Sequence, residues 1–269
     1  FDDADKQNNE FLKDRQIHMN LYAIQGMLAR VYWMKGDLKT AAEYAQKILD
    51  CKHFELADKS EIEDLINGVL SPKETIWGLF SANFYTNVRA DLYLSGGSSS
   101  LFLKADHDDT YMADKEGTDY RYEKWFKNYS AIEASGMRCI KVLDTYELNY
   151  ATRSDARVKG VNMLRLPELY YIITEYYLSI DNQTEAVKYF DKVLVSRGLT
   201  GYADRQGATL TLEKVIQERR KELVCEGQYF FTQKRYNQNI YEPKSGKIYQ
   251  ASNDIYVLPL PENETEYRY

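Results

Sequence analysis

The sequence predicts a mainly α fold, with tetratricopeptide-like helical hairpins separated by a long, irregular, partly β, aromatic-rich insertion. Three observations carry this prediction. Apolar residues recur at helical spacing in two stretches, residues 20–50 and 169–199. The two stretches match at a constant offset, since 177 − 32 and 186 − 41 both give 145. Between them, residues 71–164 lose the helical period and fill with aromatic and turn residues.

In the first stretch Leu21, Ile24, Leu28, Val31 and Tyr32 form the expected apolar face. Gly36-Asp37 breaks the helix, and Ala41, Tyr44, Ala45, Ile48 and Leu49 resume it. The second stretch repeats the layout, with Tyr177 matching Tyr32, Ala186 matching Ala41 and Phe190 matching Ala45. Both follow the tetratricopeptide scheme L-G-x2-Y then A-x3-F, as Leu28-Ala29-x2-Tyr32 with Ala41 and Ile173-Thr174-x2-Tyr177 with Ala186. A tandem array would repeat every ~34 residues. The spacing here therefore predicts one domain over 1–269, with 71–164 inserted between two hairpins.

The insertion opens with SPKETIWGLFSANFYTN, where Ile76, Phe80 and Phe84 suggest a strand and Trp77 is expected in the core. SGGSSS (95–100) reads as a turn region. ADHDDTYMADKEG (105–117) reads as a solvated acidic loop, because Tyr111 stands where an EF-hand requires its turn Gly and Gly117 where it requires its bidentate Glu. DYRYEKWFKNYS (119–130) is densely aromatic and charged, and a loop region held on a rigid scaffold is where binding residues gather. Further on, Thr211 is the expected N-cap of a helix burying Leu212, Val215, Ile216 and Leu223 and stopping at Gly227. The tail DIYVLPLPENE is expected to run extended because of Pro259 and Pro261.

Composition excludes several functions. The formal net charge is −6 and no Lys/Arg block occurs, which argues against nucleic-acid binding. No apolar run approaches the ~20 residues of a membrane span, and FDDADKQNNE at the start has no signal-peptide layout. Cys51, Cys139 and Cys225 are scattered, giving neither a disulfide framework nor a zinc site. His18, His53 and His107 stand far apart without a nucleophile motif, and no glycine-rich phosphate loop is present. The expectation is therefore no enzyme, no catalytic residue, no cofactor and no metal. Tyrosine is abundant, at 24 residues, and its flat face with a hydroxyl suits sugar, peptide or interface contact.

One run poses an electrostatic problem. In EKVIQERRKELVCEGQYFFTQKR (213–235), Glu218, Glu222 and Glu226 fall four residues apart, so like charges stack on one helical stripe. A di-metal site would require Glu-x-x-His, and the residues three further on are Lys221, Cys225 and Tyr229. A carboxylate pair for glycoside cleavage is weakly served by neighbours on one helix. Arginines remain. Glu222 and Glu226 are expected to be buried or partly buried and paired with arginines, chiefly Arg165 or Arg235, as scaffold, with Arg219 and Arg220 in the same run.

LRLPELYYIITEYY, TLEKVIQERRKELVCEGQYFFTQKR and YVLPLPENE together resemble the C-terminal half of SusD/RagB-family proteins, through an arginine-acid segment opening a hairpin, an ER-x-x-EL-x-x-EG helix and an LP-x-P-x-x-E tail. SPKETIW and SDAR (154–157) are similar to that family's strand and turn segments. Thr174-Glu175-Tyr176 departs from the family's AEA, and Tyr229-Phe230-Phe231-Thr232 from its arginine-aromatic-Asp stretch. The resemblance implies a SusD-like, non-enzymatic Bacteroidetes lipoprotein at the outer-membrane cell surface. Such a protein captures glycan, or in some members peptide, for a SusC-like TonB-dependent transporter. Its membrane attachment would be a lipid anchor, and the family's N-terminal part with that anchor and further helical repeats is not in this sequence. The runner-up from another class is a helical-repeat protein–protein adaptor. For a glycan site, aromatic stacking groups beside polar partners are needed. The candidates are Trp125, Tyr122 and Tyr129 with Asn128, Arg121 and Asp119, and Tyr85 as a second, weaker position.

Overall fold

The structure is a computed structural model describing residues 14–62, 70–81, 111, 118–131, 134–139, 141, 160–242 and 245–261. SGGSSS, SDAR, Tyr85 and all of the acidic loop except Tyr111 lie outside the described residues. The chain is mainly helical, with a few short strands. The chain divides into two compact units, Phe1–Glu226 and Gly227–Tyr269.

The first unit is built on two helical hairpins. Helices α1 (Leu21–Lys35) and α2 (Leu38–Asp50) form one. After a short α3 (Lys59–Ile62), strand β1 (Thr75–Phe80), helix α4 (Tyr120–Trp125) and strands β2 (Phe126–Ala131), β3 (Ala134–Cys139) and β4 (Gly160–Arg165), helices α5 (Leu166–Ser179) and α6 (Gln183–Ser196) form the other. The offset of 145 seen in sequence extends to chemistry at the turns. Asp37 and Asn182 cap the second helix of each hairpin through their side chains, accepting from the Thr40 and Glu185 amides. Gly36 and Asp181 turn the chain at φ 82° and 56°. Tyr32 stacks on Tyr44 at 5.7 Å, and Tyr177 on Tyr189 at 5.6 Å, with interplanar angles of 7° and 18°. Ala41 and Ala186 are fully buried where the helices approach.

One expectation about α1 is reversed. Leu21, Ile24 and Val31 are exposed, and the buried face is Ala23, Gly26, Ala29 and Trp33. Close approach decides the choice of face. A Cβ at Gly26 would collide with the Leu164 side chain and crowd Ile48, so the small-residue face is the one that fits against β4 and α2. The leucine face has no such shape.

Strands β1 and β4 pair antiparallel, Thr75 opposite Arg165 and Phe80 opposite Gly160, so the two ends of the excursion between the hairpins meet as one ribbon. A register irregularity between Thr75 and Gly78 breaks the simple alternation. Ile76 is fully buried, but Trp77 is only half-buried and Phe80 is exposed. Strands β2 and β3 form a second hairpin, from Phe126 opposite Cys139 to Ala131 opposite Ala134.

Helix α7 (Leu212–Glu222) starts at Thr211, whose side chain accepts from the Lys214 amide. It ends at Glu222, earlier than the expected stop at Gly227, and Glu226 lies beyond it in a turn. Its buried face also differs from expectation. Leu212 is exposed and Ile216 half-buried, whereas Glu218, Arg219, Lys221 and Glu222 join Val215 inside. A helix buries charge in this way only where partners wait.

The second unit contains α8 (Tyr229–Arg235), the two-residue strands β5 (Ile240–Tyr241) and β6 (Ile248–Tyr249), and a helical turn α9 (Asn253–Tyr256). That turn corrects the expectation of an extended segment from Asp254; only the residues after Tyr256 leave helical geometry. Tyr256 is buried there, packing on Phe230 at 5.5 Å. Among the described residues no helix is long and apolar enough to cross a membrane.

Candidate functional site

The three stacked glutamates are answered by cations from four other segments. Glu222, fully buried, accepts from Arg165 Nη1 at 2.9 Å, Arg197 Nη2 at 2.9 Å and Nε at 3.0 Å, and Arg121 Nη1 at 3.3 Å. Glu218 accepts from Arg121 at 2.7 Å and pairs with Lys221. Glu226 meets Arg165 at 2.7 Å and Lys141 at 2.5 Å. Glu74, at the start of β1, bridges Arg165 at 2.9 Å and Arg197 at 2.8 Å. Asp119, the N-cap of α4, takes Arg121 at 2.7 Å. The result is a neutral lattice. Arg121, Arg165, Arg197, Lys141 and Lys221 face Asp119, Glu74, Glu218, Glu222 and Glu226, and every one of these side chains has at most 7% of its surface exposed.

The same cations close the end of α7, where carbonyls have no partner within the helix. Arg165 Nη2 donates to the Glu222 carbonyl at 2.8 Å, and Lys141 Nζ donates to the Glu222 and Val224 carbonyls at 3.0 and 3.2 Å. Positive charge at a helix C-terminus is also favoured by the helix dipole. Tyr111 adds a hydroxyl donated to the Lys221 carbonyl at 2.7 Å. A smaller cluster joins α1 to α5 and α7. Glu168 takes Arg30 Nη2 at 2.6 Å and Arg219 Nη2 at 2.6 Å, Trp33 donates to Glu175 at 2.5 Å, and the Arg219 guanidinium lies over the Trp33 ring at 4.4 Å.

These pairings fix proton affinities. Burial alone would raise the Glu168 carboxyl, but Arg30 and Arg219 outweigh it and hold it down to about 2. Burial likewise opposes, and Arg197 and Arg165 overcome, the tendency of Glu222 to rise, leaving it well below the usual carboxylate range; Glu218 is lowered by Arg121 and Lys221 against the same opposition. A carboxyl lowered in the folded state contributes stability that is complete above its unfolded value and lost as pH falls through its folded value. Stability is therefore expected to hold above pH ~5 and to fall steeply between pH ~4.5 and 2, with Glu168 alone accounting for about 3 kcal/mol. Thermal melts across that range check this; a midpoint flat down to pH ~3 would contradict it.

The structure brings together Arg165, Glu222 and Glu226, and it places Arg235 on α8 in the second unit. Three of the proposed glycan contacts need correction. Trp125 and Arg121 have no exposed surface and Asp119 is 6% exposed, so none can meet a ligand. Trp125 instead covers the Lys141 ammonium, 4.1 Å from its ring, and donates to the Ile62 carbonyl at 3.2 Å. Arg121 and Asp119 are in the lattice, where the Arg121 guanidinium reaches three carboxylates, Asp119, Glu218 and Glu222, which together offset the cost of burying it. Tyr122 is half-buried in a cluster with Tyr111 and Phe126, at 6.1 and 6.3 Å. Asn128 and Tyr129 lie on β2, opposite Met137 and Gly136, and their side chains are outside the described residues, as is Tyr85.

Sequence reasoning missed Arg197, Lys141 and Glu74. Arg197 closes the second hairpin beside Gly198, which turns at φ 85°, and an arginine at a buried helix end was its one signal. Nothing in the local sequence marks Lys141 or Glu74.

Two helical hairpins, with a buried and neutral charge lattice at the second of them, define a mainly helical protein. The SusD family model matches residues 51–268, and the chain belongs to that family. Solved structures share the fold at low identity. A SusD-like carbohydrate binding protein from Bacteroides vulgatus is 17% identical with a TM-score of 0.71, covering 94% of this chain and 59% of its own. Surface glycan-binding protein A from Bacteroides uniformis is 16% identical with a TM-score of 0.65, covering 97% and 62%. A laminarin binding SusD-like protein is 18% identical with a TM-score of 0.61, covering 83% and 56%. The chain thus spans about three fifths of the length of these proteins. No curated protein sequence matches it.

Proposed function

We propose that this chain is part of a non-enzymatic, cell-surface glycan-binding protein that captures oligo- or polysaccharide for import through a SusC-like TonB-dependent transporter of the outer membrane, held there by a lipid anchor. The observation that carries the reading is family membership over residues 51–268. It is supported by structural relatives named for binding carbohydrate, surface glycan and laminarin. The charge lattice agrees with a binding role: its carboxylates are engaged by arginines and lysines, which leaves them placed for folding rather than for proton transfer to a sugar. The stacking groups of the proposal are Tyr122 and, from sequence, Tyr129 and Tyr85, with Asn128 as polar partner. A sugar ring offers its C–H face to such a tyrosine and its hydroxyls to an amide.

Calorimetric titration against a polysaccharide panel that includes laminarin tests this. Tyr122→Ala is expected to weaken binding at least ~10-fold, the loss of about 1.4 kcal/mol of contact, with a smaller loss of thermal midpoint from its packing on Tyr111 and Phe126. Binding to a peptide panel with no glycan response would overturn the glycan reading in favour of the peptide-binding alternative, and capture of a protein partner alone would favour an adaptor.

A further inference from the structure

We propose that Cys139 and Cys225 close a disulfide bond, which pins the outgoing end of β3 to the turn after α7 and secures the exit of the charge lattice. The two sulfur atoms lie 3.5 Å apart although the residues are 86 apart in sequence. Cys225 is exposed and Cys139 is buried, so one thiol meets solvent while the other waits behind it. Cys51, half-buried, belongs to the turn after α2 and hydrogen-bonds the Ile48 carbonyl.

The approach is held by charge on both flanks. Lys141, two residues beyond Cys139, donates to the Val224 carbonyl at 3.2 Å and pairs with Glu226 at 2.5 Å, so the residues on either side of Cys225 are tied to the segment that carries Cys139. Lys141 cannot drift without breaking its bond to the Glu222 carbonyl. Two thiols presented to one another in this way have lost most of the freedom that makes ring closure costly. A disulfide then limits the unfolded chain over a long loop, where such constraints count most.

The chemistry needs a small-molecule disulfide such as oxidised glutathione. The exposed Cys225 thiol loses its proton to water, and its thiolate attacks one glutathione sulfur, breaking the glutathione S–S bond and releasing one glutathione thiolate. Cys139 then gives up its proton, and its thiolate attacks the Cys225 sulfur of the mixed disulfide, forming the protein S–S bond and expelling the second glutathione thiolate. Both released thiolates recover protons, so one disulfide is reduced as one is formed. The Cys139 thiol is pushed up by its contact with Cys225 and by burial, which agrees with Cys225 attacking first.

The test uses the whole chain, reduced and then incubated with oxidised glutathione. Thiols titrated in denaturant are expected to fall from three to one, the intact mass to drop by two hydrogen atoms, and non-reducing peptide mapping to find the Cys139 and Cys225 peptides joined. The oxidised chain should melt roughly 5 °C or more above the reduced one. Cys51→Ser should keep this gain. Cys225→Ser should lose it while melting, in reducing buffer, where the reduced wild type does, which shows that the variant folds. Three thiols remaining, a lasting glutathione adduct on Cys225, a link through Cys51, or an oxidised chain no more stable than the reduced one would each overturn the proposal.

Discussion

Glu222→Ala is expected to unfold the protein or lower its thermal midpoint by roughly 10 °C or more. The carboxylate is fully buried and is shared by Arg121, Arg165 and Arg197, which come from α4, β4 and the end of α6. Its removal leaves the lattice with one excess positive charge and no solvent to disperse it. Truncating one partner of a buried pair typically costs about 3–5 kcal/mol. Here three guanidiniums lose a partner at once, and for a chain of this size each kcal/mol moves the midpoint by about 2–4 °C. Glu222→Gln keeps the volume but not the charge, and it should also destabilise. Glu213→Ala, on the exposed first turn of the same helix, should change stability by less than about 0.5 kcal/mol. Differential scanning calorimetry of the three variants separates the cases, and a Glu222→Ala midpoint within a degree or two of wild type would refute the scaffold role.

Much of the helical framework was legible because helix signals are local. The 145-residue offset located both hairpins, and Gly36-Asp37 and Thr211 marked a turn and a cap. What could not be read was which face of a helix is buried, because that depends on a partner remote in sequence. Helix α1 offers a leucine-rich face and a small-residue face, and the close approach of Leu164 at Gly26 selects the small one. Helix α7 reads as amphipathic through Leu212 and Ile216, yet it buries Glu218 and Glu222 because arginines reach them from residues about 25 to 100 positions away, and Arg219 and Lys221 because Glu168 and Asp119 reach them in the same way. The conflict of like charges was the sign of those partners. Arg165 was recoverable from LRLPEL, whereas Lys141 and Glu74 come from the segments least marked by pattern. For the ligand site the difficulty was of a different kind. A cluster rich in aromatic and charged residues is the composition both of a sugar platform and of a buried cation lattice roofed by rings, and only burial tells them apart.

That distinction makes Trp125 the most informative residue of DYRYEKWFKNYS. As a stacking platform it would be exposed, and Trp125→Ala would abolish binding while sparing stability. Its indole is instead wholly enclosed, with one face on the Lys141 ammonium and its N–H on the Ile62 carbonyl. Trp125→Ala is therefore expected to cost about 3–5 kcal/mol from the lost contacts and the cavity left behind. A second loss follows, because the aromatic face that covers the Lys141 ammonium goes with the ring. Trp125→Phe keeps an aromatic face over the ammonium but loses the N–H donor, and it should recover more than half of the stability. Tyr122→Ala should weaken glycan binding and, because its ring packs on Tyr111 and Phe126, lower the midpoint by less than Trp125→Ala does. Measuring unfolding and titration on all three variants decides the matter: a stable Trp125→Ala protein that no longer binds glycan would return Trp125 to the ligand surface and overturn its assignment as the lid of the charge lattice.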